Sequence, residues 1–138
     1  MKRRIIFDDL QTKRQSKLGR IIILTGARQT GKTTAAHHCF TDYTYLAVDD
    51  PVQSSNFLKL TSSQWNAFYP HAVLDEVQKN PVLIDSIKAT HEQFANTRYL
   101  LLGSSQFMLM KKVKESLDGR CVIMEISAHF ARTDDKKF

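Results

Sequence analysis

Short apolar runs rich in β-branched and aromatic residues alternate along this chain with longer stretches whose apolar positions recur every three or four residues. The runs at 20–24, 43–48, 71–74, 98–102 and 121–126 predict strands. The stretches near 31–40, 53–60, 62–68, 81–95 and 105–117 predict helices. Asn80-Pro81 suits a helix start, because proline lacks the N–H that a first turn leaves unbonded. Behind it Val82, Leu83, Ile84, Ile87 and Phe94 supply an apolar face, and Gly103 and Gly119 punctuate element ends. Strand and helix alternating in this way imply βαβ units, a mostly parallel five-stranded sheet and an α/β fold class. No internal repeat or low-complexity linker interrupts the pattern.

At 138 residues the chain suits one domain, divided by composition into a basic segment at 1–19, a core at 20–127 and a polar, frayed tail at 128–138. No window approaches eighteen apolar residues, so no membrane insertion is expected. The opening Met1-Lys2-Arg3-Arg4-Ile5-Ile6-Phe7 begins like an export signal, but Asp8 and Asp9 stop its apolar run. Cys39 and Cys121 are far apart and fit no metal spacing, which predicts reduced, buried thiols and a cytoplasmic protein. The formal net charge is +6, and residues 1–20 hold Lys2, Arg3, Arg4, Lys13, Arg14, Lys17 and Arg20 against two acids. Such a segment could touch nucleic acid or an acidic protein partner through residues 2–20. It lacks the repeated aromatic interleaving of a base-stacking platform, which favours a solvated leading helix instead.

The chemistry concentrates between two predicted elements. Gly26-Ala27-Arg28-Gln29-Thr30-Gly31-Lys32-Thr33 fits G-x-x-x-x-G-K-[ST], after the strand Ile21-Ile22-Ile23-Leu24 and before a helix. Inward main-chain N–H groups make a nest for an anion, and Gly26 and Gly31 permit the backbone such a nest needs. The following helix points its positive end at the same phosphates. Lys32 is expected to reach the β- and γ-phosphate oxygens, Thr33 to bind Mg²⁺ through its hydroxyl, and the segment through Thr34 to wrap the nucleotide.

His71-Ala72-Val73-Leu74-Asp75-Glu76 ends an apolar strand in two acids, which places both carboxylates at the ligand-binding edge of an open α/β sheet. Asp75 is expected to hold Mg²⁺ and Glu76 to take the proton of the attacking water. The strand at 98–102 delivers Ser104 and Ser105 to the same edge, one to sense the γ-phosphate and one to cap the next helix. Arg120 could neutralise phosphoryl charge, within the chain or from a neighbouring subunit; a surface arginine is the other reading. Arg28 faces solvent or a partner, and one of His37 and His38 is expected to be partly buried on the sheet. Asp49 and Asp50 lie near the metal or cap a turn, and Trp65 and Phe68 belong to core or packing surface.

In order along the chain these motifs, with Val48-Asp49-Asp50-Pro51, Val73-Leu74-Asp75-Glu76-Val77-Gln78, Leu101-Leu102-Gly103-Ser104-Ser105 and Ser116-Leu117-Asp118-Gly119-Arg120, resemble the prokaryotic AAA+ ATPase-core proteins. In that group the ATPase domain precedes a C-terminal domain of unknown function. The resemblance covers about residues 17–126. It implies a three-layer P-loop NTPase fold with sheet order 5-1-4-3-2, and ATP and Mg²⁺ as ligands. A homo-oligomer is what Arg120 would need to serve a neighbouring subunit. Lys32, Thr33, Asp75, Glu76 and Ser104 or Ser105 fall on the group's motif positions, and Arg120 on its Gly-Arg. The polar end after Ser127-Ala128-His129-Phe130 departs from the group and implies a truncated chain with weakened turnover. Two other readings are a nucleic-acid-binding module with a vestigial nucleotide site and a small-molecule kinase. The kinase reading is disfavoured because no lid or arginine-rich acceptor pocket is evident in the sequence.

Overall fold

The computed structural model describes residues 2–26, 31–104 and 106–126. The elements run α1 (Lys2–Arg14), β1 (Ile21–Gly26), α2 (Lys32–Cys39), β2 (Thr44–Ala47), α3 (Pro51–Leu58), α4 (Ser62–Phe68), β3 (His71–Asp75), α5 (Leu83–Gln93), β4 (Arg98–Gly103), α6 (Phe107–Leu117) and β5 (Val122–Ile126). All strands are parallel, in the order β2-β3-β4-β1-β5. This is the expected 5-1-4-3-2 sheet read from its other side, with an extra strand between β1 and β3. The expected tail at 128–138 lies outside the described residues.

The apolar strands are continuous rather than alternating because helices cover both faces of the sheet. Successive residues still point to opposite sides. Ile21 and Ile23 join Leu74, Leu101, Trp65, Ile84 and Ile87 on one face. Ile22 and Leu24 join Val73, Leu100, Leu102, Ala35 and Cys39 on the other, where Leu10 of α1 is also buried. The sheet is therefore the middle of three layers, and its ends are left for ligands.

Local chemistry sets the helix starts. Asp50 accepts hydrogen bonds from the Val52 and Gln53 N–H groups and Pro51 fills the first turn, so α3 begins two residues before the expected 53. Thr61 and Gln64 form a reciprocal capping box on α4. The helix expected from 81 begins instead at Leu83. Leu83 and Ile84 donate to the carbonyls of Asn80 and Pro81, a tighter i→i+3 pattern, and Val82 is 55% exposed rather than on the apolar face.

Arg14 and Arg20 tie the end of α1 and the segment after it to the core. Arg14 donates to the Cys39 carbonyl at 2.8 Å, pairs with the Asp42 carboxylate and lies over the Phe40 and Tyr43 rings. Arg20 donates to the carbonyls of Thr97 (3.0 Å), Phe94 (2.5 Å) and His91 (3.3 Å), closing the C-terminal end of α5. Between them Gly19 passes so close to α1 that a Cβ would sit 1.7 Å from the Lys13 carbonyl oxygen.

Candidate functional site

The C-terminal edge of β1, β3 and β4 gathers the predicted chemistry. Gly31 opens α2 at φ 94°, a backbone that side-chain-bearing residues rarely hold. The next residue, Lys32, is buried, and its Nζ donates to the Gly26 carbonyl at 2.9 Å. Burial lowers its affinity for a proton, while the nearby Glu76 and Asp75 carboxylates act in the opposite direction. Ala27, Arg28, Gln29, Thr30 and Ser105 lie outside the described residues.

Thr33 Oγ1 donates to Asp75 Oδ2 at 3.2 Å, joining the start of α2 to the end of β3 across 42 positions of sequence. Asp75 is buried and accepts a second hydrogen bond from the Tyr45 hydroxyl. Burial, followed by the bond to Asp75, pushes the Tyr45 phenol above its ordinary range and keeps it a donor. The His37 ring stacks on Tyr45, with centroids 5.1 Å apart.

Glu76 follows at φ 61°, the single described non-glycine residue with positive φ. Such a backbone costs roughly 1–3 kcal/mol and persists where surrounding contacts over-determine it. Its Oε2 accepts from Gln78 Nε2 at 2.5 Å, and Gln78 Oε1 accepts the Ser104 N–H at 3.3 Å. Ser104 Oγ is buried and has no hydrogen-bond partner among the described residues.

Thus Lys32, Thr33, Asp75, Glu76 and Ser104 converge, while Thr34 lies exposed one position further along α2. Arg120 does not join them. It precedes β5 at the N-terminal edge, where it pairs with Glu92 at 3.3 Å. Since Ile126, not Val122, lies beside Gly26, about 13 Å of strand separates the two edges. His37 and His38 are both exposed, contrary to the expectation that one is partly buried; each stacks on an aromatic ring, His38 on Phe7. Asp50 is a helix cap, Trp65 is core, and Phe68 is 61% exposed. Cys39 is buried and Cys121 half-buried, both as free thiols whose burial pushes them up to about 11.

Tyr45 escaped the sequence reading, and Gln78 entered it only as the end of the Val73–Gln78 motif, with no role. Neither a tyrosine in a strand nor a glutamine in a polar turn announces its partner, and only the pairing of β2 with β3 and the approach of β4 reveal their contacts.

All-oxygen donors from one hydroxyl and one carboxylate suit Mg²⁺, which keeps several waters and takes further oxygens from phosphates. Among the described residues no cluster of three or more His, Cys, Asp or Glu side chains could hold a metal. Among the described residues no helix is long and apolar enough to cross a membrane.

No curated protein matches the chain. A family model described as an AAA domain matches residues 18–130. The match agrees with the parallel P-loop NTPase sheet and supports nucleotide binding of the ATPase type. By fold, by the residues gathered at the sheet edge and by this match over most of its length, the chain belongs to the AAA domain family.

Proposed function

We propose that the chain binds ATP with Mg²⁺ at the C-terminal edge of β1, β3 and β4 and hydrolyses it, coupling the reaction to a partner or substrate. The observation that carries this reading is the Thr33–Asp75 hydrogen bond beside buried Lys32, with Glu76 next in sequence. Residues 26–34, including Ala27, Arg28, Gln29 and Thr30, wrap the phosphates. Lys32 exchanges its Gly26 carbonyl for phosphate oxygens. Thr33 and Asp75 would hold Mg²⁺, which would supply positive charge against the developing phosphate charge. Glu76 accepts a proton from water as the water oxygen bonds to the γ-phosphorus. The bond from that phosphorus to the bridging oxygen breaks, and its electron pair leaves on the β-phosphate. Ser104, with Ser105 following it, meets the γ-phosphate. Free thiols at Cys39 and Cys121 fit a reducing cytoplasm.

Arg120 lies at the wrong edge for its own nucleotide, so its role in this reading is to serve a neighbour's site in a homo-oligomer. A nucleic-acid role for residues 2–20 is weakened because Arg14 and Arg20 are already engaged by main-chain carbonyls.

The test is binding of a fluorescent ATP analogue together with phosphate release. Lys32→Ala is expected to weaken Mg²⁺-dependent binding roughly 100-fold. Glu76→Gln is expected to keep binding and lose about 100-fold or more in rate. Unaltered hydrolysis in Glu76→Gln would remove that residue as the base. Phosphate transferred to an added acceptor, rather than released, would favour a kinase.

A further inference from the structure

The turn after β3 carries one amide that engages two functional groups. Gln78, within the turn Val77–Lys79, donates from Nε2 to Glu76 Oε2 at 2.5 Å and accepts at Oε1 from the Ser104 N–H at 3.3 Å. A main-chain N–H only donates and a carboxylate only accepts, so the amide has one workable orientation. Turned over, it would set NH₂ against N–H and carbonyl against carboxylate.

Two features of its surroundings suit the amide. Gly103 leaves it room, since a Cβ there would lie 2.9 Å from Gln78 Oε1. Glu76 is held at φ 61°, which needs outside contacts to persist, and the bond from Gln78 is one of them. At the other end of the link, Ser104 Oγ is buried and has no hydrogen-bond partner among the described residues.

We propose that Gln78 is a positioning residue that links the Ser104 end of β4 to Glu76. It occupies Oε2 of the carboxylate, leaves Oε1 to face water, and places that oxygen according to where the end of β4 lies. A phosphate oxygen meeting Ser104 is thereby reported to the base through one side chain. The inference rests on the reading of this edge as an ATP-hydrolysing site and names the group that aligns its base. Holding the base in a near-attack position is the kind of effect that changes rate without changing affinity.

Gln78→Glu and Gln78→Met separate the two halves of the link. Glutamate still accepts the Ser104 N–H but repels Glu76; methionine has similar length and makes neither bond. Both variants are expected to lose about tenfold or more in kcat, with KM and the Kd for a fluorescent ATP analogue within about twofold. Without nucleotide, hydrogen exchange at the Ser104 amide is expected to quicken in Gln78→Met and stay unchanged in Gln78→Glu. Wild-type kcat in Gln78→Glu, or a rise in KM with kcat intact, overturns the proposal and leaves Gln78 a brace for β4. If Gln78→Met fails to fold by circular dichroism, Gln78→Glu alone decides. Absent wild-type hydrolysis, or hydrolysis unchanged in Glu76→Gln, sinks the underlying site reading as well. Hydrolysis lost in Glu76→Gln but kept in both Gln78 variants sinks this inference only.

Discussion

The two ends of the same sheet use charge in opposite ways. At the C-terminal edge, acids and hydroxyls from separate elements meet near Lys32, whose Nζ donates to the Gly26 carbonyl. At the N-terminal edge the arginines are already occupied. Arg20 donates to the carbonyls that end α5, Arg98 donates to the Arg14 carbonyl at 2.7 Å, and Arg120 pairs with Glu92. The contrast teaches that a cation's position along a parallel strand decides its work. Strand C-termini lead into helix N-termini, whose N–H groups invite anions; strand N-termini follow helix C-termini, whose carbonyls invite cations.

The sharpest way to break this contrast is Arg120, the cation at the N-terminal edge assigned a role in catalysis. Arg120→Ala is expected to cut kcat about 100-fold or more at protein concentrations that favour assembly, leaving ATP binding unchanged. An unchanged rate would make Arg120 a surface partner of Glu92, worth about 0–1 kcal/mol. Next comes Arg20→Ala. It removes a donor from three main-chain carbonyls, of which Phe94 O keeps the Thr97 hydroxyl at 2.9 Å, and should cost about 2–4 kcal/mol in chemical denaturation, with ATP affinity preserved. A loss below about 0.5 kcal/mol would show that the caps are dispensable.

At the opposite edge, Gly103→Ala forces a Cβ to 2.9 Å from both Gln78 Oε1 and Leu109 Cδ2. A destabilisation of about 1–3 kcal/mol is expected, with a fall in hydrolysis beyond what unfolding explains. Equal stability to wild type would mean that the turn yields freely. The smallest effect is at His91. Burial, then Arg20 and Arg120, lower its proton affinity in the fold below the ordinary 6.5. The unfolded chain therefore binds more protons below that value, and stability falls as pH drops from 7 through 6.5 toward the folded value. His91→Gln should flatten the urea midpoint over pH 7.5 to 5.5; parallel slopes for the two proteins would exclude His91 as the source.

Much of this arrangement was legible in the residues. Each predicted strand appears within two residues of its expected bounds; the central β1, β3 and β4 were plainest, because both their faces are covered and the apolar run is therefore unbroken. Asp75 and Glu76 were readable as a pair because an apolar strand ends abruptly in acid. The start of α5 was not, since Pro81 permits a tight turn as readily as a helix. The exposure of His37 and His38 was not readable either, because their positions on α2 decide which face they share and their aromatic partners come from β2 and α1.

By itself the sequence determined the strands, most of the helices and the acidic strand end, because those depend on local backbone preference and on side-chain period. Tertiary structure alone decided which groups meet. Tyr45 reaches Asp75, Gln78 joins Glu76 to Ser104, and Arg120 falls at the far edge, because strand order and parallel direction set which ends lie together. Contacts across dozens of residues depend on that register, which no local pattern encodes.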